Sequence, residues 1–515
     1  MDELFEKSLK KLELDKVLEL LAEQAACPAA KERCRQTVPL TDADEIRTLQ
    51  EQTSAACKLV SLKGTPGLAG ARDVGASLAR AQRGGVLSAE ELLQIGGVLK
   101  CARQVKNYAD GESVETVLDV WFFQLMANKF LEDRIFISIL SKDEIADAAS
   151  SELASIRRKI RQQSVKIRES LQKIISSPTY AKYLQEPIIT IRSDRFVVPV
   201  KSEFKNNIPG LVHDVSSSGS TFFIEPMQAV NANNDLRELL IAERKEIERI
   251  LAELSAQAAD WREHIETNYR VLVELDCIFA RARLSFAMRA IEPKITEDEI
   301  IILNRARHPL IDQKKVVPIT LTLGQDFDTL IITGPNTGGK TVTLKTIGLL
   351  TLMAQCGLHI PADDGSSVGV FTRVLADIGD EQSIEQSLST FSAHMKNIVE
   401  IVRVCEPGAL VLFDELGAGT DPAEGAALAM ALIEYCRKNG AKVAATTHYA
   451  ELKVYAMRTD RVSNASCEFD VETLQPTYRL LVGVPGKSNA FAISRWLGLQ
   501  EDILDKAKSL VSQND

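Results

Sequence analysis

Long apolar runs are missing from this chain. None of its 515 residues lies in a stretch approaching the ~18 residues that a membrane-crossing helix needs, so no membrane span is expected. Aromatics are only 5% and prolines number 17, while charged residues reach 26%; that balance predicts a mostly helical, soluble protein. The nine cysteines include no Cys-x-x-Cys pair. Neither a zinc ribbon nor a disulfide framework is expected, and the thiols fit a reducing, cytoplasmic setting. The start, Met1-Asp2-Glu3-Leu4, has neither a basic nor an apolar leader region and predicts no signal peptide. Basic excess is absent too: the formal net charge is −10. A general nucleic-acid coat is excluded, so any polyanion contact must be a local basic patch.

What is present is organised along the chain. Residues 1–150 carry successive amphipathic helical patterns, beginning with Leu12, Val17, Leu20 and Leu21. Over 151–182, Leu153, Ile156, Ile160, Ile167, Leu171 and Ile174 form a seam flanked by Arg157, Arg158, Arg161, Lys166 and further basic residues. A second seam, Leu236, Leu240, Ile247, Ile250 and Leu254, has acidic flanks. The two predict an antiparallel coiled coil with a β-rich tip between Pro187 and Pro226. The basic flank has two readings of equal weight: a solvated face paired with its acidic partner, or a surface that touches phosphate backbones. Helix returns over 263–292 and ends near Pro293, an α/β pattern fills 301–485, and a final helix pair, Asn489–Trp496 and Glu501–Val511, closes residues 486–515.

The chemistry lies in the α/β part. Gly334-Pro335-Asn336-Thr337-Gly338-Gly339-Lys340-Thr341 follows the strand-like run Thr329–Thr333 and precedes a helical pattern from Val342 to Cys356. Strand, glycine loop and helix together make a phosphate cradle, because backbone N–H groups and the positive helix end face the anion. Lys340 would reach the β- and γ-phosphates of ATP or GTP and Thr341 would ligate Mg²⁺. A second Gly-Lys-Ser, at Gly486-Lys487-Ser488, lacks the earlier glycine, since Leu481 stands there, and reads as a turn opening a helix. The apolar strand Ala409–Phe413 ends in Asp414-Glu415. Asp414 is placed to hold Mg²⁺ through water, and Glu415 to orient and deprotonate the attacking water. A further strand, Val443–Thr447, ends at His448, which is placed to hydrogen-bond the γ-phosphate.

These motifs, with Ser389-Thr390-Phe391, Leu416-Gly417-Ala418-Gly419-Thr420 and Thr446-Thr447-His448-Tyr449, resemble the MutS-family ATPase of the ABC superfamily. The resemblance is closest to the second bacterial branch, through Asp377 to Ser392, Thr420-Asp421-Pro422 and Val484 to Ala490. It implies a multidomain α and α/β protein. A helical lever (1–150 and 263–300) would carry a coiled-coil clamp arm (151–262), followed by an ABC-type P-loop ATPase (301–485) and a C-terminal dimerisation segment. It implies ATP and Mg²⁺, contacts from Gly334 through Val342, and a homodimer in which Ser389 of one subunit faces the γ-phosphate bound by the other. It also implies two targets, branched DNA during recombination and stalled ribosomes with their rRNA, in the bacterial cytoplasm.

Departures narrow the resemblance. Phe130-Leu131-Glu132 has the letters of the family's mismatch-reading Phe-x-Glu wedge but sits within helical sequence, so mismatch recognition is not expected. The branch's C-terminal small MutS-related nuclease domain has no counterpart before Asp515, and nuclease activity is not expected of these residues. Val316-Val317-Pro318 stands where the repair branch has an adenine-stacking aromatic. An ABC transporter ATPase would need Leu-Ser-Gly-Gly-Gln. A structural-maintenance or break-repair ATPase, the alternative reading, would insert its arm between the ATPase halves; here the arm precedes the phosphate loop.

Overall fold

The computed structural model describes residues 3–110, 115–335, 338–379, 390–470, 475–486, 491, 494–495 and 498–511. The chain forms two compact units. One comprises Gly67–Gly111 and Phe122–Leu272, the other Met1–Pro66, Glu112–Trp121 and Val273–Asp515. Among the described residues no helix is long and apolar enough to cross a membrane.

The first of these units is mainly helical. Its helix Ala89–Asp110 begins at a reciprocal cap: the Ser88 backbone N–H donates to Glu91 and the Glu91 N–H to Ser88 Oγ. A small hairpin, β1 (Ile139–Ser141) and β2 (Glu144–Ile145), interrupts the helices, which their sequence pattern had not suggested. The helix Ser151–Ile175 starts on Ser150, whose Oγ accepts from the Leu153 N–H at 3.0 Å. It stops at Ile175 rather than running to 182, because Pro178 opens a separate turn, Pro178–Ala181. Helix Met227–Asp260 packs along it. Ser150 meets Glu246, Arg157 meets Glu243 and Gln163 meets Asp235, so one helix ascends as the other descends.

Between these helices lie β3 (Thr190–Arg192), β4 (Arg195–Lys201), β5 (Gly210–Val215) and β6 (Thr221–Pro226), an antiparallel sheet of order β3-β4-β6-β5. Phe196, Val198, Val200 and Ile224 from its strands share one core with Ile167, Leu171, Ile174 and Leu236. Asn233 locks sheet to helix: its amide accepts from the Phe196 N–H and donates to the Phe196 carbonyl, both at 3.1 Å. The buried Glu225 carboxylate takes both its oxygens to Arg195, at 2.7 and 2.8 Å.

The second unit is built on a six-stranded sheet. Four other strands, β7 (Lys294–Thr296), β8 (Ile301–Ala306), β9 (Ile319–Leu323) and β11 (Ser367–Gly369), form a separate sheet of order β7-β11-β8-β9. Strand structure thus begins at Lys294, ahead of the Ile301 start read from the pattern. The main sheet contains β10 (Thr329–Thr333), β12 (Arg373–Asp377), β13 (Ala409–Phe413), β14 (Lys442–Thr446), β15 (Val462–Asp470) and β16 (Gln475–Val482), in the order β12-β13-β14-β10-β15-β16. All neighbours are parallel except β15 and β16. Strands β10 and β13 are buried along their whole length, as both faces of the sheet are covered. Ile331, Val411, Phe413 and Val443 pack with Ile398, Ile401, Ala429 and Ile433 of the helices Thr390–Val404 and Pro422–Lys438. On the helix Lys340–Gln355, Gly348 admits a close approach: a Cβ there would lie 2.6 Å from Leu412 and 2.8 Å from Leu12. The N-terminal helix Glu3–Lys11 shields the edge strand, and Ser8 Oγ accepts from the Ala376 N–H at 3.1 Å.

The Phe-x-Glu letters are explained by this packing. Phe130 is exposed, whereas Glu132 is turned inward on the helix Lys129–Ser138 and takes a two-pronged bond from Arg103, at 2.8 and 2.7 Å. A buried, paired carboxylate cannot read a base. Glu132→Ala leaves Arg103 half-buried without its carboxylate and is expected to destabilise by about 3 kcal/mol, read as a lowered urea midpoint; a midpoint unchanged from the parent would refute the structural role.

Candidate active site

The candidate site grows from the carboxyl ends of parallel strands. After β10 the chain turns at Gly334, with φ +136°, and re-enters helix through Gly339, with φ +91°. Only glycine adopts the first of these freely, and the second leaves 3.1 Å between a would-be Cβ and the Tyr478 ring. Pro335, whose carbonyl accepts from the Gly338 N–H at 3.0 Å, shapes the loop. Asn336 and Thr337 lie outside the described residues. A helix start leaves its first backbone N–H groups without intrahelical carbonyl partners, which suits an anion beside the start of the helix Lys340–Gln355.

Lys340 is 2% exposed. Its ammonium donates to the Gly334 carbonyl at 2.8 Å and lies 3.2 Å from His448 Nδ1. Burial holds it below the ordinary lysine range, with the Glu415 and Asp414 charges opposing. Thr341 Oγ1 donates to Asp414 Oδ2 at 2.7 Å. The other Asp414 oxygen accepts from Thr446 Oγ1 at 2.5 Å, and Thr446 Oγ1 in turn accepts from the Glu415 N–H at 2.8 Å. Glu415 sits at φ +47°, an uncommon conformation for a residue with a side chain, and its carboxylate lies 3.2 Å from His448 Nε2. His448 thus spans Lys340 and Glu415. One tautomer satisfies both: Nε2–H donates to the carboxylate and Nδ1 accepts from the ammonium. The His448 hydrogen bond holds Glu415 below the usual carboxylate range, against the opposing pull of burial.

A family model described as MutS domain V matches residues 330–514. Over 514 residues the chain is 52% identical to a protein named Endonuclease MutS2 from Acetivibrio thermocellus, covering 99% of this chain and 65% of that one. Proteins of the same name from Ruminiclostridium cellulolyticum and Clostridioides difficile are each 51% identical, over 513 and 511 residues. These matches cover 99% and 98% of this chain, and 65% and 64% of the relatives. Along its whole length the chain is thus similar to proteins of the MutS family. It spans about 65% of the length of the curated relatives it matches.

Other expected residues fall variously around this candidate site. Ser389 lies outside the described residues. Val342 is exposed beside Gly339 and lines a cavity of about 250 Å³ together with His308, Val316, Val317 and Tyr478. Sequence reasoning missed Tyr478 and His308. It found no aromatic at Val316-Val317, and nothing in the strand pattern of β16 signals that Tyr478 supplies a ring to the same cavity. The turn at Gly486 is clasped onto the end of β10: its N–H donates to Thr333 Oγ1 at 2.9 Å and its carbonyl accepts from Lys453 at 2.7 Å. Lys487 and Ser488 lie outside the described residues.

The basic flank divides. Arg157 is turned into its own unit, donating to Glu243 at 2.6 Å, Asp147 at 2.8 Å and the Ile145 carbonyl at 2.6 Å, with only 20% of its side chain exposed. Its charge is spent internally, which removes it from a solvent-facing stripe. Arg158 and Lys166 are exposed, and Arg161, 64% exposed, has only a 3.4 Å contact with Asp147.

If His448 holds Glu415 ionised, His448→Ala is expected to raise the Glu415 pKa toward the ordinary glutamate value. Carbon-13 NMR of carboxyl-labelled glutamate, with Glu415→Gln to assign the signal, checks this; an unmoved titration would break the link.

Proposed function

We propose that the chain is an ATP-hydrolysing, homodimeric clamp that acts on nucleic-acid structures. The observation that carries this reading is the continuous bonded path Lys340–His448–Glu415 beside Thr341–Asp414–Thr446, at the mouth of a glycine loop.

Each residue then has a task. The loop from Gly334 to Val342 cradles the phosphates through backbone N–H groups, and Lys340 exchanges the Gly334 carbonyl for phosphate oxygens. The Thr341 hydroxyl and the Asp414 carboxylate are hard oxygen donors in mutual contact, a pair that fits Mg²⁺. Bound there, Mg²⁺ supplies charge neutralisation on the phosphates. Glu415 accepts the proton of the attacking water, and its depressed pKa keeps it ionised at neutral pH. His448 holds Glu415 on one side and Lys340 on the other, so it registers the terminal phosphate. The cavity beside Gly339 suits the nucleotide base, with Tyr478 in place of the absent aromatic at Val316-Val317. Ser389 of the partner subunit completes the site, with residues 486–515 holding the dimer.

The paired helices of residues 151–262 serve in this reading as the coiled-coil clamp arm of a helical lever. Arg158, Arg161 and Lys166 meet phosphate backbones without reading sequence. Branched DNA and the rRNA of a stalled ribosome both offer such backbones in the bacterial cytoplasm. The relatives are named endonucleases; we assign no nuclease chemistry to the residues described here. The arm's position before the phosphate loop disfavours the structural-maintenance alternative.

Two outcomes are expected. Lys340→Ala should weaken ATP binding at least about 100-fold, whereas Glu415→Gln should keep binding and lower kcat by about 10²–10³. Equal loss of affinity in both, by equilibrium titration and phosphate release, would contradict the assigned tasks. Reversing Arg158, Arg161 and Lys166 to glutamate should flatten the slope of log affinity against log salt by up to about 3 on a DNA junction or ribosomal RNA; an unchanged slope would return the stripe to a solvated face.

A further inference from the structure

A second histidine stands close to the same carboxylates, and nothing above uses it. Asp377 ends β12, next to the end of β13, and its carboxylate is 2% exposed. Three side chains converge on it. His394 Nδ1 lies at 2.8 Å, Asn397 Nδ2 donates at 2.8 Å, and Lys11 Nζ donates at 3.4 Å. His394 and Asn397 come from the helix Thr390–Val404, and Lys11 from the N-terminal helix. The Asp377 carbonyl, in turn, accepts the backbone N–H of Asp414 at 2.8 Å.

The peptide that carries Asp414 and Glu415 is therefore held from two sides. On the β14 side, Thr446 Oγ1 bonds both the Asp414 carboxylate and the Glu415 N–H. On the β12 side, Asp377 bonds the Asp414 N–H, and His394 and Asn397 fix Asp377. Glu415 needs such a grip, since its φ of +47° is a conformation that surrounding structure must enforce. The geometry points to His394 as a positioning residue for hydrolysis: through Nδ1 it fixes Asp377, and through Asp377 it fixes the Asp414–Glu415 turn opposite Thr446. This rests on the ATPase reading of the preceding subsection.

Electrostatics agrees. The hydrogen bond to Asp377 holds the His394 pKa above the ordinary histidine value against burial, with the Asp414 charge adding to it and Lys11 opposing. The His394 charge is felt at Glu415, where it favours the ionised carboxylate. An imidazole oriented by a buried carboxylate at Nδ1 is a rigid arrangement, whereas an exposed histidine that merely covered the helix would need neither Asp377 nor Asn397.

The test is a comparison of three variants with the parent chain in steady-state ATP hydrolysis. His394→Ala removes the Nδ1 bond, and His394→Asn keeps a side-chain N–H near that place. Small misplacement of a reacting group costs rate rather than affinity, so His394→Ala should lose about tenfold or more in kcat with KM within about twofold, and His394→Asn should recover to within about threefold of the parent. A kcat for His394→Ala within twofold of the parent, an Asn variant no better than Ala, or a loss confined to KM would each overturn the inference. Should His394→Ala fail to fold, Lys11→Met, which removes only the 3.4 Å contact, carries the test; a fall of about two- to fivefold is expected, and no fall overturns it. A parent that binds ATP without turning it over defeats the ATPase reading and this inference together. A parent that hydrolyses beside unaffected variants defeats this inference alone.

Discussion

The parallel register of β12, β13, β14 and β10 is the constraint on which the rest of the site depends. Asp377 pairs with Phe413, Phe413 with Ala445, and Ile332 with Thr446. All four strands therefore end at the same edge, and the residues just beyond them, Gly334, Asp414, Glu415 and His448, meet there. Open parallel sheets gather ligands at this edge because strand ends and helix N-termini leave backbone groups to be satisfied. A slip of one residue in any strand would turn its side chains to the opposite face and dissolve the constellation.

A second constraint is charge held away from water. Lys340 and Asp414 are both buried, which is tolerable only because each is tightly bonded: Lys340 to Gly334 and His448, Asp414 to Thr341 and Thr446. In such a network each bond polarises the next, so displacing one group is felt by all. That coupling gives a physical route by which a phosphate arriving at Lys340 would be registered at Glu415 through His448. The N-terminal helices belong to the same compact unit and reach this region twice, with Lys11 on Asp377 and Glu13 on Lys345 of the helix that follows the glycine loop.

Much of this was legible from residue order. The glycine loop between strand and helix, the apolar strand running into Asp414-Glu415, and the strand ending near His448 are local signals, each set by periodicity and a few residue types. The two long helices with a strand-rich region between them were legible for the same reason, as apolar seams spaced by helical turns. Boundaries were less legible: Pro178 ends the first long helix at Ile175, and strand β7 precedes the expected α/β start. Charge was legible as composition but not as exposure. Arg157 and Arg161 look alike in sequence, yet one is drawn inward by Glu243, 86 positions away, and the other remains in solvent.

Sequence by itself determined the long helices, the strand–glycine loop–helix segment and the chemical types available at the strand ends, because those follow from interactions between near neighbours. Only the tertiary structure decided which of them touch. It put Tyr478 of β16 beside Gly339, turned Glu132 onto Arg103, and drew His394 and Lys11 to Asp377. The physical reason is that hydrogen bonds and ion pairs between distant residues depend on strand order and helix packing. Those arrangements are chosen by the burial of the whole core and leave no periodic mark on any one segment.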